Sequence, residues 1–325
     1  MKIIFWGTPE YAIKSLKYLI SSRHEVLAVI TQPDRKRSRG KKLLPSPIKK
    51  FSIENNIPVI CPENLKDNRI FIENLKKFDC DLFVVVAYGK ILSREILDIP
   101  KHGSWNSHAS LLPKWRGAAP IQWALISGDL YTGIGIMKME EGLDTGDILI
   151  EEKLIIDKDD NLETLSNKLS LLSAELLIKA IELISKNPKN QLKTIPQSKT
   201  GREIKYARLI YKSDYEIDFN QKAQQIQMKV NGLYPNAFIK NNDKIVKILK
   251  IKSIKNLETE KFSSFSNNKN TKPGQIIGIM KNEGILISTL TEPILINEIK
   301  IAGKNISVGN QLIQQLNPIV GETFY

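Results

Sequence analysis

Asn106 and His108 are the two side chains in this sequence whose types and spacing are best suited to chemistry. They lie one residue apart in "NSHASLLP", and alternate side chains of an extended strand point to the same face. An imidazole accepts and returns protons near neutral pH, and an Asn amide donates a hydrogen bond to a developing oxyanion. The pair is typical of acyl transfer from a carbonyl group. The nucleophile is expected from the substrate, because no Ser lies in a Gly-x-Ser-x-Gly turn.

The turn "GLDTGD" supplies two candidate partners for His108, which are Asp144 and Asp147. Asp144 lies at the tip of a Gly-flanked turn, as catalytic carboxylates on rigidly supported loops often do, whereas Asp147 starts the next strand and could cap the turn. From spacing alone, a structural histidine remains an alternative for His108. His24 and His102 are predicted to be structural or surface residues. No His, Cys and carboxylate cluster has metal-ligand spacing, so no metal is predicted.

The elements that must position these residues follow a β-α-β-α-β order. Near-continuous apolar runs such as "KIIFWG", "EVLAVIT" and "DLFVVVAYG" alternate with helical patterns, as in a parallel sheet covered on both faces. The sequence therefore predicts an α/β, doubly wound, mostly parallel sheet for a Rossmann-like catalytic domain over residues 1–185. "TGIGIMKME" and "GDILIEEKLII" are predicted to be strands that flank the Asp144 turn, and a helix is predicted over 161–186.

A second domain is predicted after a polar, basic linker at 186–206, which Pro and Gly residues punctuate. The runs "IVKILKIKSIK", "GQIIGIMKNEGILISTL" and "EPILINEIKIAG" are short, alternating and separated by turn residues. This pattern favours a smaller C-terminal β-barrel of OB-like type over 207–325.

The chain is strongly basic, with 48 Lys and Arg against 35 Asp and Glu and a formal net charge of +13 over 325 residues. Arg35 to Lys50 contain eight basic residues and no acidic one. This segment is predicted to be a long mobile loop at the end of the second strand. Ligands usually bind at that end of an open sheet, which favours contact with an anion or a nucleic acid over the alternative of a solvated basic loop.

The cysteine content and the hydropathy of the sequence indicate the cellular compartment in which the protein is expected. Cys61 and Cys80 are far apart in the sequence, which predicts two reduced thiols rather than a disulfide framework. No apolar run approaches the roughly 20 residues that span a bilayer, and the N-terminus lacks the pattern of a secretory signal. We therefore expect a cytoplasmic protein without a membrane partner.

"NSHASLLPKWRGAAPIQWALISGD", "GLDTGDIL" and the basic loop "TQPDRKRSRGKKLLPSP" together resemble the methionyl-tRNA formyltransferase family, a branch of the 10-formyltetrahydrofolate-dependent formyltransferases. The resemblance runs from "FWGTPEYA" to "GLYPNAF" and covers essentially the whole chain. It implies transfer of the formyl group of 10-formyltetrahydrofolate, a co-substrate, to the α-amine of methionine on initiator methionyl-tRNA, for translation initiation. One alternative is a small-molecule amine formyltransferase that acts on glycinamide ribonucleotide or an amino sugar. The other is an RNA-binding module that has lost its activity.

The resemblance also implies a role for individual residues. The catalytic residues would be Asn106, His108 and Asp144. The folate-binding residues would be Ser110, Leu111, Leu112 and Pro113, with Tyr88 to Ile91 along the same pocket. The tRNA-binding residues would be Arg39, matching a loop residue implicated in recognition of the acceptor stem, and its neighbours Arg35, Arg37, Lys41 and Lys42. The linker and the C-terminal barrel would contact the outer tRNA backbone, and the enzyme is expected to be a monomer.

Overall fold

The computed structural model describes residues 1–37, 42–65, 68–187, 192–241, 244–254 and 271–324. The strands, in chain order, are β1 (Lys2–Gly7), β2 (Glu25–Ile30), β3 (Arg35–Arg37), β4 (Lys42–Leu44), β5 (Val59–Ile60), β6 (Leu82–Val86), β7 (Ser104–His108), β8 (Arg116–Gly117), β9 (Tyr131–Lys138), β10 (Ile148–Ile155), β11 (Tyr206–Ala207), β12 (Phe238–Asn241), β13 (Lys244–Ser253), β14 (Ile276–Met280), β15 (Gly284–Ile287), β16 (Ile294–Ile301) and β17 (Ile306–Val308). The α-helices are α1 (Ile13–Ile20), α2 (Pro47–Glu54), α3 (Arg69–Lys76), α4 (Arg94–Leu97), α5 (Pro120–Ile126), α6 (Leu162–Lys186), α7 (Ala223–Gly232) and α8 (Gly309–Leu316).

The N-terminal half is built on a seven-stranded sheet in the order β10-β9-β7-β6-β1-β2-β5. The five strands from β7 to β5 in this order are parallel, because a helical segment connects each consecutive pair along the chain. β9 and β10 are antiparallel and flank the short turn that carries Asp144. The prediction of a mostly parallel α/β sheet is confirmed, as are the two strands around this turn.

The central strands are apolar on both faces because helices cover them. All five residues of β6 are buried, and the Trp6 ring packs against Phe83 at 5.3 Å and edge-on against Tyr88 at 5.1 Å between ring centroids. On α6, Ser173 is fully buried and lies 3.2 Å from Ser15 of α1, measured between their Oγ atoms. Such packing fixes the central strands rigidly, and β7 is one of them.

The C-terminal part of the chain forms a second, antiparallel sheet in the order β12-β13-β16-β15-β14, with β17 paired to β16. Helices α7 and α8 pack on its apolar face through Ile226, Val230 and Leu312. In the part of the chain that the structure describes, no ladder joins the outer strands β12 and β14. The smaller C-terminal β domain is confirmed, whereas its closure into an OB-like barrel stays a prediction.

Contacts divide the chain into two compact units. One unit comprises Met1–Pro120, Tyr131–Ile155 and Leu165–Arg208, and the other comprises Ile121–Leu130, Ile156–Thr164 and Leu209–Tyr325. The predicted boundaries at 185 and 207 stay predictions. Within the predicted linker, Ile195 pairs with Ile148 of β10, and Tyr206–Ala207 pairs with Arg116–Gly117. This segment therefore belongs to the first unit and contacts strands and turns near Asp144.

The basic segment after β2 differs from its prediction. A loop was expected over Arg35 to Lys50, but β3 and β4 form a small antiparallel ladder and α2 begins at Pro47. The helix starts there because the Ser46 hydroxyl accepts a hydrogen bond from the Lys49 amide and Pro47 occupies the first helical position. None of the helices in the described ranges is long and apolar enough to cross a membrane.

Candidate active site

Strand β7 places Asn106 and His108 on one face of the sheet. Asn106 lies opposite Val85 of β6 and Met137 of β9, so its backbone is paired on both sides. The intervening Ser107 points to the other face, where its Oγ lies 2.7 Å from Ser173 Oγ. His108 closes the strand and is only 5% exposed. The predicted sharing of a face by Asn106 and His108 agrees with this alternation.

The hydrogen bonds of His108 decide which ring nitrogen carries a proton in the neutral imidazole. Its Nδ1 lies 3.0 Å from Ser110 Oγ, and that hydroxyl donates to the Lys114 carbonyl at 2.5 Å. Because a carbonyl oxygen only accepts, the single hydrogen of the Ser110 hydroxyl is donated to Lys114. Toward His108 the hydroxyl must therefore accept a hydrogen bond from Nδ1–H. The other ring nitrogen, Nε2, therefore carries the lone pair. The neutral ring is a proton acceptor through Nε2.

Asp144 is the carboxylate that faces this nitrogen. Its Oδ2 lies 3.4 Å from His108 Nε2 and accepts a hydrogen bond of 2.8 Å from the Gly117 backbone amide. Burial alone would raise the pKa of the Asp144 carboxyl. The hydrogen bond and the charge of His108 in its imidazolium form, the Gly117 amide and the charge of Arg116 outweigh burial, so this pKa lies below its ordinary value and the side chain is a carboxylate at neutral pH. Asp147, the other candidate, instead accepts a hydrogen bond from the Thr194 hydroxyl at 2.9 Å.

Two polar groups at this site are left available for a substrate. His108 Nε2 is buried and makes no directed hydrogen bond with the residues that the structure describes, since its contact with Asp144 has the distance of an ion pair. Asn106 is partly exposed on the same face. A base and a carboxylate thus meet at the end of β7, and an amide donor lies on the same face of that strand. This arrangement can remove a proton from an attacking amine while it stabilises negative charge on a carbonyl oxygen.

The residues predicted to bind folate have different surroundings. Ser110 is buried beside His108, and Leu111 is partly exposed. Leu112 is fully buried in a cluster with Met137 and Ile148. Pro113 is also buried. The structure thus brings Ser110 into contact with His108 and places Leu112 in the core, and the folate contacts stay predictions.

Tyr88 and Arg35 line a cavity of about 190 Å³ at the carboxyl ends of β1, β2 and β6. Tyr88 is 2% exposed, and its carbonyl accepts a hydrogen bond of 2.7 Å from Gln32. Arg35 donates to the same Gln32 side chain. Of the other basic residues predicted to contact tRNA, Arg39 and Lys41 lie outside the described residues, as do the side chains of Arg37 and Lys42.

Sequence reasoning missed two contributions to the site. The Gly117 amide holds the Asp144 carboxylate, and the Ser110 hydroxyl orients His108 rather than simply lining a pocket. A signal for Gly117 existed, because a glycine in a Trp-Arg-Gly stretch can adopt the positive φ of 117° found here. The described residues contain no group of three or more His, Cys, Asp or Glu side chains placed to hold a metal ion. The absence of a metal from the reaction stays a prediction.

Comparison with known proteins defines the class of this fold and site. Residues 1–181 match the formyl transferase family, and residues 209–317 match the formyl transferase C-terminal domain. The chain is 55% identical over 329 residues to the methionyl-tRNA formyltransferase of Prochlorococcus marinus (strain MIT 9515), with 100% of this chain and 99% of that protein covered. It is 40% identical over 338 residues to that of Synechococcus sp. (strain CC9311), with 100% and 99% covered. The chain belongs to the methionyl-tRNA formyltransferase family.

Solved structures share the fold at lower identity. The sugar 3N-formyl transferase WlaRD, in the presence of dTDP and 5-N-formyl-THF, superposes with a TM-score of 0.63 at 20% identity over 94% of this chain and 99% of its own. HypX from Aquifex aeolicus, in complex with tetrahydrofolic acid, gives a TM-score of 0.63 at 16% identity over 99% of this chain and 48% of its own. These likenesses confirm the formyltransferase fold.

Proposed function

We propose that this chain transfers the formyl group of 10-formyltetrahydrofolate to the α-amine of methionine on initiator methionyl-tRNA. The observation that carries the proposal is the buried imidazole of His108, whose Nε2 is free to accept a proton 3.4 Å from a carboxylate. Relatives that match the chain over its full length have the corresponding name. The same chemistry on a glycinamide ribonucleotide or an amino sugar has no comparable support, because the sugar enzyme shares only the fold.

The residues present fit a folate-type formyl donor. Such a donor supplies an electrophilic formyl carbon, and the site offers a partly exposed amide at Asn106 and a buried His108 Nε2 that has no hydrogen-bond partner among the described residues. The Asn106 amide would donate to the formyl oxygen as negative charge develops there. Two of the solved structures that share the fold were determined with 5-N-formyl-THF or tetrahydrofolic acid. We assign donor contacts to Leu111 and, through their backbone, to Ser110, Leu112, Pro113 and Tyr88.

His108 would act as the general base for the amine. As the methionine nitrogen forms its bond to the formyl carbon, Nε2 takes the proton that the nitrogen loses. The departing folate nitrogen must gain a proton when its bond to the formyl carbon breaks, and the imidazolium is a suitable source. Asp144 would stabilise the imidazolium between these two transfers, because its low pKa keeps it negatively charged.

The basic segment between β2 and α2 would bind the tRNA. Arg35 is described and lies at the carboxyl end of the parallel sheet, and we assign tRNA contacts to it and to Arg37, Arg39, Lys41 and Lys42. Contacts between such side chains and phosphates release counterions, so the affinity for tRNA should fall as salt rises. We further propose that the protein acts as a monomer in the cytoplasm, which sedimentation at the concentrations of the assay and fractionation of cells would test.

A transfer assay tests the proposal. The protein is supplied with 10-formyltetrahydrofolate and, in parallel, with initiator methionyl-tRNA, glycinamide ribonucleotide or an amino-sugar nucleotide. We expect formylation of the methionyl-tRNA alone, and formylation of a small amine alone would refute the proposal. A variant with Arg39, Lys41 and Lys42 changed to Gln should raise the KM for tRNA far more than the KM for the donor. Equal increases would instead make the loop a folate lid.

A further inference from the structure

The turn that presents Asp144 needs support from elsewhere in the fold. Residues 140–143 are exposed, and Asp144 itself adopts a left-handed backbone with a φ of 51°. This conformation is unfavourable for residues other than glycine, and it persists only where surrounding contacts stabilise it. The carboxylate must nevertheless stay within 3.4 Å of His108 Nε2.

Gln197 supplies this support from the segment predicted to be a linker. It is 4% exposed, and its Nε2 donates to the carbonyl oxygens of Asp144 and of Gly146, each at 2.8 Å. Its Oε1 accepts two hydrogen bonds from Arg116, at 3.0 Å from Nε and at 2.7 Å from Nη2. Both hydrogens and both lone pairs of the side-chain amide are therefore used. The amide clamps the turn on both sides of Thr145.

Arg116 links Gln197 to Gly117, the residue whose amide binds the Asp144 carboxylate. The next residue, Gly117, donates its amide to Asp144 Oδ2 at 2.8 Å, and both residues pair with Tyr206–Ala207 in a short parallel ladder. The guanidinium also lies close enough to lower the pKa of the Asp144 carboxyl. Gln197 therefore holds the backbone of the turn, whereas Gly117 holds the carboxylate of Asp144.

We propose that Gln197, held by Arg116, is a positioning residue that keeps the Asp144 carboxylate in contact with His108. Gln197 acts through Asp144 and touches no reacting atom. The inference rests on the proposed formyl transfer for its kinetic consequence, although the geometric consequence does not depend on any reaction. It also assigns a role to the Trp-Arg-Gly stretch, which the resemblance alone leaves without one.

The substitution Gln197→Glu tests the clamp with little change in shape. A carboxylate still accepts from Arg116, but it cannot donate, so the carbonyl oxygens of Asp144 and Gly146 lose their donors. We expect kcat to fall by about 10- to 100-fold, the cost of displacing a catalytic group by about an ångström. The KM values for the donor and for the tRNA should stay within about twofold, because no substrate contact is removed.

Gln275→Glu is the matched control. The Gln275 side chain also donates to a backbone carbonyl, that of Gly321 at 2.9 Å, and accepts from the Lys272 amide, but it lies in the other compact unit. We expect this variant to keep the parental kcat. If Gln197→Glu does not fold, Arg116→Lys replaces it, since Lys keeps the charge but cannot donate from two nitrogen atoms in a fixed plane.

A double-mutant cycle separates positioning from a general structural role. In the Asp144→Asn background, Gln197→Glu should reduce kcat by less than about twofold, because the carboxylate that it positions is gone. An undiminished loss of kcat in that background would overturn the proposal. So would a kcat of Gln197→Glu equal to that of the parent.

A measurement without substrates keeps this test independent of the proposed reaction. The distance between Asp144 Oδ2 and His108 Nε2, which is 3.4 Å in the parent protein, is measured in crystals of Gln197→Glu and of Gln275→Glu. We expect this distance to increase in Gln197→Glu and to stay unchanged in Gln275→Glu, and an unchanged distance in Gln197→Glu would overturn the proposal. If the distance increases but the parent protein transfers no formyl group, the proposed function fails and the positioning role stands.

Discussion

Replacing Ser110 with Ala distinguishes two roles for this hydroxyl. It was predicted to contact folate, yet it accepts the Nδ1–H of His108 at 3.0 Å and donates to the Lys114 carbonyl at 2.5 Å. In Ser110→Ala, the buried Nδ1–H loses its acceptor, and the neutral ring can instead carry its hydrogen on Nε2, which faces the Asp144 carboxylate and would then no longer be available as a base. Leaving such a donor unsatisfied costs about 1–3 kcal/mol.

The same free energy sets the expected loss of rate. If the cost falls on the transition state, in which the imidazole becomes charged and both ring nitrogens are donors, kcat should drop by about 5- to 150-fold. The KM for the formyl donor should change little. A hydroxyl that served mainly to bind folate would instead raise that KM and leave kcat nearly unchanged. Steady-state kinetics with each substrate varied in turn therefore separate the two roles.

Ser107→Ala is the control for loss of a buried hydroxyl. Ser107 lies on the opposite face of β7, is 3% exposed and has a hydroxyl partner, Ser173, at 2.7 Å. We expect Ser107→Ala to lower the free energy of unfolding by about 1–3 kcal/mol and to leave kcat within about twofold of the parent. The orientation of His108 by Ser110 would be refuted if both variants lost kcat equally, or if Ser110→Ala lost none.

Three further variants test the other parts of the site. His108→Ala should abolish turnover but keep tRNA affinity in a filter-binding titration, because the phosphate contacts that we propose lie elsewhere; a parallel loss of affinity would contradict this separation. Because the pKa of Asp144 is lowered in the folded state, its carboxylate stabilises the fold at neutral pH, and this stability is lost as the pH falls below about 4. Chemical denaturation should accordingly show Asp144→Asn less stable than the parent at pH 7, with a difference that shrinks toward pH 3. Gly117→Ala should lower kcat well below that of Gly201→Ala. Both glycines have positive φ, but only at Gly117 would the new Cβ meet a backbone oxygen, that of Ala207, at 2.8 Å. Equal kcat values for the two variants would exclude this steric cause.

Much of the fold can be predicted from the sequence because its main signals are local. The apolar runs of β1, β2 and β6 and the periodicity of α6 correspond to elements of the structure. The start of α2 also had a local signal, the pair Ser46 and Pro47, which fits an N-cap followed by the first helical residue. The density of basic residues around that pair favoured a loop instead. Charge describes the exposed side chains of a segment and does not specify its backbone.

The residues alone predicted which side chains share a face only for Asn106 and His108, which are close in the sequence, and they offered Asp144 as one of two candidates. Asn106 and His108 share a strand, and the spacing of two residues is enough to place them on one face. The approach of Asp144 to His108 spans 36 positions, which follows from the pairing of β7 with β9 and the turn after it. The contact of Gln197 with this turn depends on a segment that the composition identified only as polar and basic. Composition of this kind carries no information on long-range hydrogen bonds.

Asp144 and Asp147 illustrate why a carboxylate in a suitable motif is not yet a catalytic group. The two are three residues apart in one turn, and apart from the family resemblance only the place of Asp144 at the tip of the Gly-flanked turn favours it. Asp147 accepts a hydrogen bond from the Thr194 hydroxyl and is not the carboxylate that contacts His108. Asp144 does contact His108 Nε2, because its backbone is left-handed and its Oδ2 accepts a hydrogen bond from the amide of Gly117, 27 residues earlier. Exchanging the positions of Asp and Thr within this turn would keep its composition and net charge. The carboxylate would nevertheless lose the Gly117 amide and the imidazole together, so the chemistry depends on the donors that surround the turn.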